Sequence, residues 1–572
     1  MAKKIFLFGA FILLALSCSK QMEYNEYNVF DKDYIQSDYL LVGGFITEIY
    51  NVLEYDYGNY SGGAMLASAS DESEYSKTGN SIEDFYNGAW SATNPHAGLW
   101  TSMYKGIAEC NRFLTDMQGL TYDLLKLNDD YAQQMHRYEN YQYEARFLRA
   151  YFYFQLVRQY GDVPFVEPEM SITEINSLSR APYDQIFKFI IDECDAIKGL
   201  IVEDYSKLGP YALSVAETGR AGKYAVLALK AQAALYWASP LFNPGNDQSR
   251  WMNAAKYYKE LVDTCEAAGM ALTNNYKDLW KNDNFSNAAI TKELIFARRV
   301  NGNTSQPESY NYPVGIDGGS GGNCPTQNLV DAYDMRATGK GIFEEGSGYN
   351  PAKPYEGRDS RLDLTVAVNG KKWPEYSAAK ELQTYYGGTN GLPITGATPT
   401  GYYLKKHCHG AITFASNSNY KSDRHTYFLY RLGQAYLDYA ECVFRALGSA
   451  DATSDEFPKS ARELASKTRV RAGTPAFPEG LGNAEFWEKY KKERMVELAF
   501  EGHRFWDVRR WKEADKYFRN IERMSLTKEV DGTITYKRST VSRMWDDKMY
   551  LFPIPQTEIM KNPNLKPNNP GW

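Results

Sequence analysis

Residues 144–164 carry the clearest pattern of apolar and polar positions in the chain. Leu148, Tyr151, Phe152 and Leu156 recur at steps of three and four, which places them on one helical face. Phe147, Tyr153, Phe154 and Val157 occupy the opposite side, while Arg146, Arg149 and Arg158 stand off the main stripe. A helix apolar around most of its circumference must be packed on several sides. Gly161 and Pro164 write its stop, one by admitting a left-handed backbone and the other by forbidding resumption.

The same period returns elsewhere. Residues 219–240 repeat it with small side chains at Ala225, Ala228, Ala231, Ala233 and Ala234, which allow close helix approach, and residues 251–268 supply a hairpin partner. Helical spacing is also present at 40–53, 100–114, 124–160, 183–197, 427–447 and 460–472. Helix pairs of about 34 to 45 residues, with Tyr at the contacts and Pro after the second helix, are similar to degenerate tetratricopeptide repeats.

Two stretches lack this period. Residues 68–99 are polar and aromatic with few element signals. Residues 300–424 are Gly-dense, around 315–322 and 387–401, with short apolar runs at 364–368 and 412–414 that predict a few strands. Loops of that length in a helical protein are often functional. The last residues, 551–572, hold Pro553, Pro555, Pro563, Pro567 and Pro570, which exclude continuous helix except around 556–560; this tail is expected to lie extended over the core.

Residues 493–511 break a local rule. Glu493, Glu497 and Glu501 form an i, i+4 row of like charge, unfavourable on an isolated helix. Gly502 costs ~1 kcal/mol inside a helix, so either the helix breaks there or another backbone comes close. Arg504, Arg509 and Arg510 in the same segment favour a structural ion network over acid–base catalysis.

Composition changes the picture in three ways. A length of 572 residues suggests roughly three or four domains by size alone. Aromatics form 15% of the chain, with 46 Tyr, an excess that suits a packed helical core, a ligand surface, or both. A net charge of -7 without a basic block argues against nucleic acid as a partner.

The amino terminus adds an address. Lys3 and Lys4 precede an apolar run, residues 5–16, too short to span a bilayer, and residues 14–18 (LALSC) resemble a bacterial lipobox. The resemblance implies a signal peptide over 1–17, lipidation at Cys18 and a polar tether over 18–34. Acyl chains contributing ~0.8 kcal/mol per buried CH2 would then hold the chain on a membrane. The six remaining Cys form no CxxC pair and are read as buried free thiols. Three ligands in adjacent residues rarely meet on one ion, so His407, Cys408 and His409 are read as structural and no metal or cofactor is expected. The Asp-rich loops could take calcium, but nothing spells an EF-hand.

Taken together, these segments resemble the SusD/RagB family of nutrient-uptake lipoproteins of Bacteroidetes. The carriers are the lipobox, residues 145–164, Arg180 to Tyr183, residues 219–240, Pro325-Thr326-Gln327 with 329–333, YRLGQAYLDYAE at 430–441, RVRAG at 469–473, residues 493–511 and the Pro-rich tail. They occur in family order over nearly the whole chain. The resemblance implies a mainly α fold, with tetratricopeptide-like helix pairs as a scaffold and a loop-rich ligand-binding region with a few short strands. It implies one domain over 35–572, made of a helical part (35–299), the insertion (300–424) and a second helical part with the tail (425–572). It also implies outer-membrane anchoring, with the fold facing the cell exterior and a SusC-like TonB-dependent transporter as partner. Ligand capture without catalysis follows, with oligosaccharides as the leading ligand and peptides as the alternative; a glycoside hydrolase, needing two carboxylates ~5–10 Å apart, is a remote third.

Sugar rings pack C–H faces on aromatic rings, so the candidate ligand-binding residues are Tyr75, Trp90, Tyr310, Tyr312, Trp373, Tyr385 and Tyr386 in the two aperiodic stretches, with Asp71, Asn94 and Asp317 as polar candidates.

Overall fold

The apolar stripes of the first half fold as α1 (Tyr39–Tyr50), α2 (Trp100–Asp116), α3 (Tyr131–Tyr160), α4 (Tyr183–Ile197), α5 (Lys223–Ala238) and α6 (Gln248–Ala267). The computed structural model describes residues 31–96, 98–166, 170–205, 219–280, 292–299, 303–376 and 378–572. The leader and Cys18 lie outside the described residues. After α6 come α7 (Gln306–Asn311), α8 (Leu432–Leu447), α9 (Ala461–Arg471), α10 (Asn483–Glu497) and α11 (His503–Arg510). Helices α1 and α2 both pack on α3; α3 packs on α4, α4 on α5, α5 on α6, α6 on α8 and α8 on α9. This sequential stacking is what the repeat of helix pairs predicts.

Local chemistry sets the helix ends. The Asp38 carboxylate accepts the Leu40 N–H at the start of α1, and Ser460 and Glu463 close a capping box on α9. A cap of this kind contributes ~1 kcal/mol. Helix α3 stops at Gly161, whose φ is +69° and whose N–H returns to the Val157 carbonyl. From Phe147 to Val157 it is buried almost throughout, as its all-round apolarity requires. A Cβ at Gly106 of α2 would stand 2.6 Å from the Phe152 ring, so glycine lets α2 and α3 close.

Strands are short and paired in twos. Those of three residues or more are β1 (Ser73–Tyr75), β2 (Leu294–Arg299), β3 (Asn323–Pro325), β4 (Thr426–Arg431), β5 (Asn520–Lys528) and β6 (Ile534–Ser542), with antiparallel pairs β1–β3, β2–β4 and β5–β6. The β2–β4 pair clamps the two ends of the 300–424 insertion beside α8.

Three expectations are corrected. Residues 427–431 are strand, and α8 begins only at Leu432, because the aromatic run Tyr427–Tyr430 finds β2 as a pairing partner. Of the run 364–368, Leu364 and Thr365 close a short helix, Ser360–Thr365, and Val366–Ala367 pairs with Tyr403–Leu404; residues 412–414 form no strand. The segment 68–73 is buried core rather than surface loop, with Ser68, Ser70, Asp71, Glu72 and Ser73 all enclosed. The β5–β6 hairpin has no counterpart among the predicted elements.

Cys110, Cys194, Cys265, Cys324, Cys408 and Cys442 are free and buried, as expected. Among the described residues, no helix is long and apolar enough to cross a membrane.

The glutamate row resolves into a buried ion network. Gly502, at φ +77°, separates α10 from α11, so the helix breaks there. The partners of the three glutamates come from distant segments, not from the arginines beside them. Arg361 reaches Glu493 (2.6 Å) and Glu497 (2.8 Å), Arg431 reaches Glu497 (2.7 Å) and Glu501 (2.7 Å), and Arg471 reaches Glu497 (2.6 Å). Arg504 pairs instead with Asp71 (2.7 Å) and Arg510 with Glu441 (2.6 Å).

Candidate functional site

Three loops converge beside β1 and β3. The Ser76 N–H donates to the Gly322 carbonyl (2.9 Å), extending the β1–β3 pairing toward solvent. The Asn390 amide donates to the Val314 carbonyl (2.7 Å), and the Gly321 backbone sits against the Gly396 carbonyl, where a Cβ would stand only 2.0 Å away. Backbone segments this close admit only glycine. Loops 76–80, 310–322 and 383–397 therefore form one surface, and Gly315 and Gly321 allow two of them to close on each other.

Four of the aromatic candidates belong to this surface. Tyr75 and Tyr310 meet around Gly58 and Gly63: a Cβ at Gly58 would lie 2.6 Å from the Tyr310 ring, and one at Gly63 would lie 2.4 Å from the Tyr75 hydroxyl. Tyr75 is buried and donates to the Gly62 carbonyl (3.2 Å), so it supports the surface rather than offering a ring. Tyr310 is half-buried. Tyr385 is half-buried, donates to Gln383 Oε1 (3.0 Å) and lies under the Lys528 ammonium (5.5 Å). Tyr386 is 69% exposed, and its N–H is fixed to the Leu526 carbonyl of β5 (3.0 Å). Leu392, Ile394 and Asp317 are also exposed on these loops.

The other aromatic candidates are corrected by burial. Tyr312 and Trp373 pack edge to face at 5.9 Å inside the insertion, and the Tyr312 hydroxyl donates to the His409 (2.8 Å) and Ile412 (3.0 Å) carbonyls. Their rings hold the insertion together and have no face left for a ligand. Trp90 is 2% exposed, packed among Phe85, Phe552 and Trp572 under the carboxy-terminal tail. Asn94 is exposed near it, with its amide held by Asp84 (3.0 Å) and the Ala89 carbonyl (3.1 Å). Asp71 is committed to Arg504 through two bonds of 2.8 and 2.7 Å.

A second concavity of about 570 Å³ lies inside the scaffold, lined by Glu54, Asp56, Gln155, Arg158, Gln159, Gln232, Tyr151, Tyr427, Tyr430 and Trp506 among others. The sequence reading missed it, although a signal exists: Gln155, Arg158 and Gln159 recur at three and four on an otherwise apolar helix. Glu54 is open to the cavity yet crowded by protein; burial raises its carboxyl to about 7, with Arg158 opposing and Asp56 adding to the rise. Asp56 accepts the N–H groups of Gly58 (3.2 Å) and Leu66 (2.7 Å), so it is spent on its own loop. Glu501 also lines the cavity and is paired with Arg431 (2.7 Å) and Lys406 (2.7 Å).

Beside Asp71, Glu72 gives a pH prediction. Its Oε1 accepts the Phe500 N–H (3.2 Å), and its Oε2 has no hydrogen-bond partner. Burial, then the Asp71 charge, raises its carboxyl to about 8 from the ordinary 4.5. Below 4.5 the group is protonated folded or unfolded and costs nothing. As pH rises to 8 the folded chain retains a proton that the unfolded chain has released, so stability falls, and it levels off above 8. Glu72→Gln should leave stability near pH 4.5 unchanged and raise it at pH 9 by roughly 1–3 kcal/mol. Urea titrations at the two pH values check this; an equal effect at both would remove Glu72 as the source.

Residues 292–572 match the family described as "SusD family", and residues 23–231 match the one described as "Starch-binding associating with outer membrane". SusD-like protein P2 of Formosa agariphila is 23% identical over 483 residues, covering 83% of this chain and 80% of that protein. A SusD-like protein from Bacteroides fragilis superposes with a TM-score of 0.75 at 23% identity, over 94% of this chain and 98% of the other. A structure from the same species, titled a SusD-like carbohydrate binding protein, gives 0.72 at 23%, over 93% and 100%. At such identities the structural likeness shows the fold alone.

Proposed function

Because the chain belongs to the SusD family, we propose that it is a glycan-binding lipoprotein, anchored at Cys18 in the outer membrane and facing the cell exterior, that passes oligosaccharides to a SusC-like TonB-dependent transporter. The observation that carries the binding reading is the surface where loops 76–80, 310–322 and 383–397 meet. It presents Tyr386 openly and Tyr310 and Tyr385 in part, on backbone held by close Gly contacts. A rigid mount of this kind lowers the entropy lost when a flexible sugar binds. The family's description as outer-membrane associated supports the location, and the carbohydrate-binding title of the Bacteroides fragilis structure supports the ligand class.

The test is calorimetry on the soluble chain from about residue 20, with panels of neutral and acidic oligosaccharides and of oligopeptides. Tyr386→Ala, Tyr385→Ala and Tyr310→Ala should each weaken binding of the preferred oligosaccharide about tenfold or more, ~1.4 kcal/mol, with unchanged melting temperature. Binding confined to the peptide panel, or unaffected by all three substitutions, would overturn the reading. Co-purification of a TonB-dependent transporter from detergent-solubilised outer membrane tests the partnership.

A further inference from the structure

Glu308 of α7, His409 near the end of the insertion and His425 just before β4 meet in the interior, with one ligand atom from each lying within 4.8 Å of the others. Glu308 and both rings are buried, and the two imidazoles stack at 4.0 Å with 13° between planes. His407 and Cys408 turn elsewhere, to the Phe500 (3.1 Å) and Pro307 (3.5 Å) carbonyls. The sequence triplet is therefore divided, and His409 alone is brought to His425.

The hydrogen bonds assign the tautomers. His425 Nδ1 lies 3.1 Å from the Asp423 carbonyl, which can only accept, so that nitrogen carries the proton. In the neutral ring Nε2 then holds a lone pair, and it points at Glu308 Oε1 at 3.0 Å. His409 Nε2 lies 2.8 Å from the Trp280 carbonyl and must likewise be the N–H. That turns the Nδ1 lone pair toward the carboxylate side, with Asp423 Oδ2 at 3.6 Å. Glu308 Oε1 already accepts the His409 backbone N–H (2.6 Å), and Glu308 Oε2 is buried with no hydrogen-bond partner.

With both rings neutral, two nitrogen lone pairs and a carboxylate thus converge within 4.8 Å of one another in the interior. A proton on His425 Nε2 would pair that ring alone with Glu308 Oε1 (3.0 Å), and protonating both rings would stack two imidazoliums 4.0 Å apart inside the protein, where like charges repel strongly. A divalent cation satisfies all three at once. In metal sites the ligating imidazole donates its other N–H to a carbonyl or carboxylate, the arrangement both rings already have. Bonds of about 2.0–2.1 Å to nitrogen and oxygen place tetrahedral donors about 3.3 Å apart, close to the Glu308–His425 separation. Two imidazoles with one carboxylate favour a borderline ion such as zinc over calcium.

We propose that Glu308, His409 and His425 form a structural zinc-type site, with water as the fourth ligand. It would tie the start of the insertion to its end. Because Tyr310 lies two residues beyond Glu308, the ion would also fix the segment that carries this tyrosine.

The experiment uses tag-free chain, dialysed against chelator and then titrated with zinc alone, calcium alone or cobalt(II). About one tightly held zinc per chain is expected, with little calcium binding and a tetrahedral cobalt(II) spectrum. Glu308→Gln and His425→Gln should weaken zinc binding by at least about 100-fold, and circular dichroism checks that both still fold. Should either be unfolded, the cobalt spectrum of the unsubstituted chain decides alone. No zinc above a surface-bound background, undiminished zinc in a folded variant, or a cobalt spectrum of octahedral, water-rich type overturns the proposal. So does nitrogen NMR showing His425 protonated on both nitrogens with zinc present.

Discussion

Replacing Arg431 with methionine should destabilise the protein by about 3–5 kcal/mol. Arg431 is fully buried and uses all five of its N–H donors: Nε and Nη2 on Glu501 (2.7 and 2.9 Å), Nη1 on Glu293 (2.8 Å) and Glu497 (2.7 Å), and Nη2 on the Glu497 carbonyl (2.9 Å). Methionine fills the volume but leaves three buried carboxylates short of positive charge. Glu497 retains Arg361 and Arg471, and Glu501 retains Lys406, so the loss is partial rather than total. Lysine should not rescue it, because a point charge cannot reproduce the planar fork. Acid makes the loss visible in a second way. Burial pushes the Glu497 carboxyl up, but Arg471, Arg431 and Arg361 outweigh it and hold the group at about 2. A depressed carboxyl contributes stability above its unfolded value of 4.5, and that contribution disappears as pH falls toward 2. In Arg431→Met the carboxyl rises, so acid unfolding should begin at higher pH. Urea unfolding at pH 7 and an acid titration measure both effects. A variant within ~1 kcal/mol of the parent, with the same acid midpoint, would mean the network is over-supplied with cations.

The network also shows what could be read from the residues and what could not. The i, i+4 glutamate row and Gly502 announced a conflict that only tertiary pairing could settle, and the break at Gly502 follows from that conflict. Which arginines answer it was illegible, since Arg361 and Arg431 lie 132 and 66 positions before Glu493 and Glu497. The scaffold helices were legible because burial on several sides leaves a period in the sequence, as in α3 and α5. Tyr427–Tyr430 misled because an aromatic run fits a buried strand as well as a helix face, and the pairing strand lies far away. The candidate ligand surface was legible only as a region. Tyr386 and Trp90 look alike in the sequence, both aromatic and both in an aperiodic stretch; one is exposed and the other enclosed because of partners that local pattern does not specify.

Trp90 therefore carries the sharpest reversal. From its stretch it reads as a ring for stacking on a sugar; in the fold it is a plug between the 81–96 segment and the carboxy-terminal tail. Phe85 lies 4.7 Å from it, Phe552 4.8 Å and Trp572 5.1 Å, all edge to face. The tail is held nearby through the Trp572 indole, which donates to the Lys548 (2.9 Å) and Leu551 (3.0 Å) carbonyls, and through the Gln556 N–H on the Ala92 carbonyl (2.9 Å). Trp90→Ala opens a cavity among three rings and should cost about 3–5 kcal/mol. Trp90→Phe keeps an aromatic edge and removes an indole N–H that has no partner, so it should cost less than half as much. Oligosaccharide affinity, measured where Trp90→Ala remains folded, should stay within about twofold of the parent, because no ring face at this position reaches solvent. Denaturant unfolding and calorimetry on the same preparations separate the two roles. Parent-like stability with collapsed affinity would return Trp90 to the ligand surface and displace the Tyr310, Tyr385 and Tyr386 loops from it.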